Sequence, residues 1–87
     1  MVTQEFTVKN PTGIHARPAS LLTQLCNKLP DQITILTDAG KVVDPKNIIS
    51  VLMGGMSKGT KIEIKVEGES EEDSLKQIME LLESFSE

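Results

Sequence analysis

The sequence predicts an α+β fold whose elements follow in the order strand, helix, strand, strand, helix, strand, helix. Two segments alternate apolar and polar residues as half-buried strands do, and two others repeat apolar residues at helical spacing. The connections are short and the element types are mixed, which favours a small antiparallel sheet with helices on one face. With 87 residues, the chain is expected to form a single domain over residues 1–87 with one modest core.

The first strand is predicted from Val2 to Lys9, and the Asn-Pro and Gly residues of segment 10–13 end it. A helix follows from about Ala16 to Lys28. Pro18 fixes where this helix starts, because proline is tolerated only in the first turn. Its predicted buried stripe consists of Ala19, Leu22, Cys26 and Leu29, widened by Leu25.

The middle of the chain predicts a hairpin and a short helix. Gln32 to Thr37 is a strand, and a tight turn at residues 38–40 leads into a second strand over residues 41–43. Asn47 is expected to cap a helix over residues 48–53, which two glycines then end.

The last strand, residues 60–67, shows the clearest alternation, with three branched apolar residues facing inward. Ser70 is a good N-cap for the final helix, and the acidic residues that follow it suit the positive end of the helix dipole. The predicted buried stripe of this helix consists of Leu75, Ile78, Met79, Leu82 and Phe85.

The composition excludes several classes of protein. Nine basic and thirteen acidic residues give a net charge of −4. The chain contains two Phe and no Tyr or Trp. Nucleic-acid binding needs cationic charge and ring faces, so no nucleic-acid partner is expected. The single Cys26 cannot form an internal disulfide, and no metal site or cofactor is expected. No signal peptide or membrane span is visible, so we expect a cytoplasmic protein without membrane insertion.

The segment Gly13–Ala19, GIHARPA, places the only histidine where a loop meets the start of a helix. The backbone N–H groups there form a site for an anion, and the N–H groups of Ala16 and Arg17 face it because Pro18 has none. A neutral imidazole is a nucleophile toward phosphorus, so His15 is a candidate acceptor of a phosphoryl group. The alternative is that His15 merely caps the helix and Arg17 is a solvated charge. From the sequence, either of these two residues could be the formal cap.

The complete heptapeptide resembles the active-site signature of the HPr family, the histidine-containing phosphocarriers of the bacterial phosphoenolpyruvate-dependent sugar phosphotransferase system. The likeness extends over nearly the whole chain and includes the Gly40-Lys41 turn, the helix after Lys46 and the segment Ser57–Ile64, SKGTKIEI. It implies an open-faced β-sandwich, with a four-stranded antiparallel sheet of order 1-4-2-3 covered by three helices.

The resemblance also implies a function. His15 would be phosphorylated on Nδ1 by phosphorylated enzyme I and would pass the group to the IIA domains of sugar permeases. The Arg17 side chain would stabilise the phosphoryl group, and the N–H groups of Ala16 and Arg17 would cradle it. Catalysis would come from the partners, so the protein is expected to be a carrier and not an autonomous enzyme.

One position departs from the family. Low-GC Gram-positive members carry a regulatory serine at the start of the second helix, which an HPr kinase/phosphorylase modifies to control carbon catabolite repression. Asn47 stands at that position and has no hydroxyl to phosphorylate, so this kinase is a doubtful partner. Ser50, one turn later, is interpreted as an ordinary helix serine.

The family docks its partners on a shallow apolar patch beside the histidine, onto which Ala16, Ser20, Leu21, Gln24 and Ile48 map. Leu52 is assigned to the core, while Met53 and Met56 suit an adaptable surface. A monomer that exchanges partners quickly is expected. The competing hypothesis is a regulatory module that docks protein partners on the same surface without phosphoryl transfer.

Overall fold

The computed structural model describes residues 1–86 and contains one four-stranded antiparallel sheet. Its strands pair in the order β1-β4-β2-β3, which confirms the predicted fold class and strand order. Residues 1–86 also form three helices. The strands are β1 (Val2–Thr7), β2 (Gln32–Thr37), β3 (Val42–Val43) and β4 (Lys61–Glu67), and the helices are α1 (Ala16–Lys28), α2 (Ile48–Leu52) and α3 (Glu71–Ser84).

Strand β4 lies inside the sheet, between β1 and β2. In the register, Ile62 lies opposite Phe6 of β1, and Ile64 lies opposite Ile35 of β2. The inward residues of β4 are buried, whereas Glu63 and Lys65 between them are half-exposed on the open face of the sheet. Period-two alternation therefore separates a face covered by helices from an open one.

The predicted bounds of α1 are confirmed, and its core stripe is buried except for the half-buried Leu25. Helix α3 packs on β1 and β4 and contacts α1. Its stripe is buried except for the half-buried Leu75. Within residues 1–86, no helix has both the length and the apolar character that crossing a membrane requires.

Ser70 occupies the N-cap position of α3, but its side chain makes no capping hydrogen bond. The carboxylate of Asp31, just before β2, instead joins the start of α3 to the sheet. Asp31 is only 4% exposed, and it accepts hydrogen bonds from the Ser70 N–H at 3.2 Å and from the Ser74 hydroxyl at 2.5 Å. The predicted N-cap position of Ser70 is therefore confirmed, but its side chain does not cap the helix, and a residue far away in sequence holds this helix end.

Leu52 is 44% exposed, so its assignment to the core is wrong. In the five-residue helix α2, the residues that face the core are the half-buried Ile48 and the buried Val51, three positions apart. Leu52 follows Val51 directly and turns away from this face. Met56 is buried and packs in the core, so only Met53 of the two methionines belongs to the surface.

Burial in α1 raises the pKa of the Cys26 thiol to about 12, from an ordinary value of 9.0. The folded protein keeps a proton that the unfolded chain releases above pH 9.0, so this thiol leaves stability unaffected below that pH. As the pH rises from 9.0 toward 12, the free energy of unfolding should fall by up to about 1.4 kcal/mol per unit on account of Cys26.

Urea unfolding at a series of alkaline pH values, with Cys26→Ala as the control, measures this effect. Below pH 9.0 the variant is less stable because it leaves a cavity, but it lacks the thiol and should show a shallower loss of stability above pH 9.0. Equal slopes for the two proteins would contradict the assignment.

Candidate functional site

The loop between β1 and α1 is closed by the buried side chain of Asn10. Its amide nitrogen donates to the Gly13 carbonyl at 2.7 Å, and the Gly13 N–H donates back to the Asn10 carbonyl at 3.0 Å. The side-chain bond and the backbone bond, both between Asn10 and Gly13, together fix the loop in one conformation.

Gly13 passes against the backbone of the segment between α2 and β4. It has a φ of +69°, and a Cβ atom there would lie 2.6 Å from the Met56 carbonyl oxygen and 2.8 Å from the Ser57 Cα. The next residue, Ile14, is buried and donates its N–H to the same Met56 oxygen at 2.8 Å. The two residues before His15 are therefore anchored to the body of the protein.

His15 is the N-cap residue of α1, which settles the question left open by the sequence. Its backbone is extended, with φ −110° and ψ −157°, and its carbonyl accepts the Ala19 N–H at 2.7 Å. The imidazole makes no capping hydrogen bond and is exposed. The helix thus uses the backbone of His15 and leaves the side chain at the surface, next to the positive end of the helix dipole.

Ala16 and Arg17 form the first turn of α1 with exposed side chains, followed by the buried Pro18. First-turn N–H groups point toward the helix N-terminus and not to a carbonyl inside the helix. An anion bound to the His15 side chain would meet this end of the helix and the guanidinium group of the neighbouring Arg17. Within residues 1–86, no three His, Cys, Asp or Glu side chains are grouped so that they could hold a metal ion.

The residues predicted to dock partners fall into two groups. Ala16, Ser20 and Gln24 are exposed and spaced four apart along α1, and the Gln24 amide donates to the Ser20 hydroxyl at 3.3 Å. Leu21 is exposed on the same helix, whereas Ile48 is only half-buried and packs against the core. Helix α2 packs against α1, and the Asn27 side chain donates to the Lys46 carbonyl at 3.0 Å just before α2 begins.

Helix α2 also carries an apolar surface that the sequence analysis described incompletely. Ile49 is 61% exposed, and Met53, the residue that ends the helix, is 71% exposed. Together with the exposed Leu52 they form an apolar surface. Ile49 was missed, although its spacing of three and four residues from Leu52 and Met53 is the signal of a shared helix face.

Asn47 caps α2 as predicted. Its side-chain oxygen accepts the N–H groups of Ile49 at 2.9 Å and Ser50 at 3.3 Å. The hydroxyl of Ser50 accepts the Asp44 N–H at 2.9 Å and is half-buried, so it contributes to the structure of the turn before the helix. This contact agrees with the interpretation of Ser50 as a structural serine.

Replacing Gly13 by alanine should displace the loop that carries His15, because the new Cβ would meet immobile backbone atoms. Gly40→Ala is the matched control, since Gly40 has a φ of +85° with nothing within 4 Å of an added Cβ. The control should lose about 1–2 kcal/mol of stability from its backbone conformation alone. Gly13→Ala should lose more than the control in urea unfolding and should shift the amide resonance of Ile14. Equal losses would show that the backbone contact is unimportant.

Known proteins resemble this chain over nearly its whole length. The family described as the PTS HPr component phosphorylation site matches residues 2–84. The Phosphocarrier protein HPr of Borreliella burgdorferi is 38% identical over the full length of both chains. A crystal structure of HPr from Thermoanaerobacter tengcongensis superposes with a TM-score of 0.90 at 37% identity, covering 97% of this chain and 93% of the other. An HPr dimer from the same organism gives a TM-score of 0.75 at 38% identity, covering 91% and 90%. The chain therefore belongs to the HPr family, the phosphocarriers of the phosphotransferase system.

Proposed function

We propose that this phosphocarrier accepts a phosphoryl group on Nδ1 of His15 from phosphorylated enzyme I and passes it to the IIA domains of sugar permeases. The observation that supports this most is the exposed imidazole at the start of α1, which takes no part in capping the helix. A side chain with only a structural role would be engaged in a hydrogen bond or packed.

The transfer consists of two displacements at phosphorus. In the first, the lone pair of the imidazole nitrogen attacks the phosphorus atom and the bond from phosphorus to the donor breaks. In the second, a nucleophile of the IIA domain attacks and the phosphorus–nitrogen bond breaks, which returns the electron pair to His15. The carrier ends unchanged, and the partners supply the catalytic groups.

The charge of the phosphoryl group is stabilised by the start of α1. The N–H groups of Ala16 and Arg17 belong to the first turn, where the helix dipole is positive and favours an anion. The guanidinium group of Arg17 adds charge-assisted hydrogen bonds. These contacts favour the phosphorylated state without shielding the phosphorus atom from the next acceptor.

Both partners dock on one surface beside His15. This docking surface comprises Ala16, Ser20, Leu21, Gln24 and Ile48, extended by the exposed Ile49, Leu52 and Met53. A small apolar surface that serves several partners binds each of them weakly, which suits rapid exchange. We place this carrier in the cytoplasm, as a monomer that acts through the single domain of residues 1–87 without a cofactor.

Incubation with phosphoenolpyruvate and enzyme I should add one phosphoryl group to the protein, detected by intact mass. The adduct should be lost in acid, because a phosphohistidine bond is acid-labile. It should be absent from His15→Ala and present in Thr12→Ala, which removes a hydroxyl from the same loop. An adduct that survives acid, or that persists in His15→Ala, would exclude the proposed acceptor.

The same variants test the competing hypothesis of a docking module. If the folded wild-type protein binds enzyme I but gains no phosphoryl group, and His15→Ala binds equally well, the protein docks partners without transfer. Loss of the adduct in His15→Ala with binding retained instead supports the carrier.

We further propose that Asn47 removes regulation by HPr kinase/phosphorylase. With this kinase and ATP, the wild-type protein should gain no acid-stable phosphate, whereas Asn47→Ser should gain one. Serine caps a helix about as well as asparagine, so Asn47→Ser should retain its stability, while Asn47→Ala should lose about 0.5–2 kcal/mol. Acid-stable phosphorylation of the wild-type protein would point to another hydroxyl, and Ser50→Ala would then identify it.

A further inference from the structure

An open groove of about 440 Å³ lies between β1 and α3. Its apolar floor is formed by Val2 of β1 with Leu75 and Met79 of α3. Met79 is buried, whereas Val2 and Leu75 are half-buried. The floor therefore exposes apolar surface mainly through Val2 and Leu75. The proposed phosphoryl transfer makes no use of this groove.

The groove borders the free edge of the sheet. Strand β1 is the last strand on its side, and within residues 1–86 it pairs with β4 alone. Gln4 points to the same face as Val2 and Phe6, yet it is exposed. The helix layer therefore stops short of the outer edge of β1 and leaves its outward N–H and C=O groups accessible for pairing.

The rim of the groove is acidic. Glu72, Glu80 and Glu83 line it from α3, with Lys76 between them. Three carboxylates and one ammonium group leave two net negative charges, and Glu72, Glu80 and Glu83 lie along one stripe of the helix. A partner that complements this rim carries positive charge.

We propose that β1 and α3 form a docking groove for an extended, lysine- or arginine-rich segment of another protein. The segment pairs its backbone with the outer edge of β1, as in other cases of β-strand addition. Its basic side chains, at alternate positions, face the groove: their apolar stems lie on Val2, Leu75 and Met79, and their charged ends reach the three glutamates.

A second copy of this chain fits the groove poorly. Its α3 would bring a second row of carboxylates toward the acidic rim. Like charges placed together in this way oppose association.

The groove is also separated from the phosphoryl site. Its strand residues, Val2 and Gln4, lie in the first half of β1, whereas the His15 loop follows the end of that strand. A six-residue strand spans roughly 20 Å, so a segment bound beside Val2 leaves His15 open to enzyme I.

The probe for this proposal is the peptide acetyl-Lys-Val-Lys-Thr-Lys-Val-amide, titrated into isotope-labelled protein. We expect amide resonances of β1 and α3 to shift, those at the start of α1 to remain, and binding to weaken as salt is added. A peptide of the same sequence with Glu for Lys should not bind. The same basic peptide N-methylated at every residue should lose binding, because it keeps the charge but has no backbone N–H group to donate to β1.

The matched variants separate the groove from general electrostatics. Glu80→Lys with Glu83→Lys should weaken peptide binding by about tenfold or more. Glu67→Lys with Glu69→Lys makes the same change of charge outside the groove lining and should weaken it far less. Phosphorylation of His15 by enzyme I should be unchanged in the first pair, which keeps this test independent of the proposed function.

Several results would overturn the proposal. These are an absence of binding, shifts centred on the start of α1, equal binding of the N-methylated peptide, and equal weakening by the two pairs of variants. Self-association in sedimentation that the Glu80→Lys and Glu83→Lys pair abolishes would identify a second copy as the occupant and would equally refute the basic segment.

Discussion

The position of His15 depends on one close backbone contact, in which Gly13 and Ile14 lie against Met56 and Ser57. The contact continues the pairing of β1 with β4 beyond the end of the sheet. Just before it, the Val8 N–H donates to the Thr60 carbonyl at 2.9 Å and the Gly59 N–H donates to the Val8 carbonyl at 2.7 Å. This ladder joins the loop to the sheet, and the backbone from which the exposed imidazole projects is therefore held in place by the buried strands.

The three helices differ in how their N-termini are satisfied, and the difference decides which of them is open to an anion. In α2 the side chain of Asn47 accepts the first N–H groups. In α3 the N-cap residue makes no side-chain hydrogen bond, but the first turn carries Glu71, Glu72 and Asp73, whose negative charges oppose an anion there. In α1 the N-cap residue likewise contributes no side-chain hydrogen bond, and the first turn carries no acidic residue. The start of α1 therefore keeps its positive end directed to the surface, where the proposed phosphoryl group would be held.

Most of the fold could be predicted because its signals are local. Alternation identifies β4, Pro18 fixes the start of α1, and Asn47 caps α2 through its immediate neighbours. The wrong predictions concern contacts made over long distances. The Ser74 hydroxyl bonds Asp31 across 43 positions, which no helix-capping rule for Ser70 can anticipate. The faces of a five-residue helix are likewise set by the surface it packs on, so Leu52 was misplaced and Ile49 was missed. The heptapeptide identified the candidate site, but the anchoring of its loop by Gly13 required the structure.

The cap formed by Asn47 has an evolutionary consequence. Asparagine and serine accept the same backbone N–H groups at a helix start and stabilise it about equally. Their codons are connected by a single nucleotide change, so a lineage can move between the two residues without passing through a destabilised protein. Selection for a stable fold then hardly distinguishes asparagine from serine at this position, and selection for signalling determines which of the two is kept. Control by a serine kinase can be acquired or discarded in such a family at little structural cost.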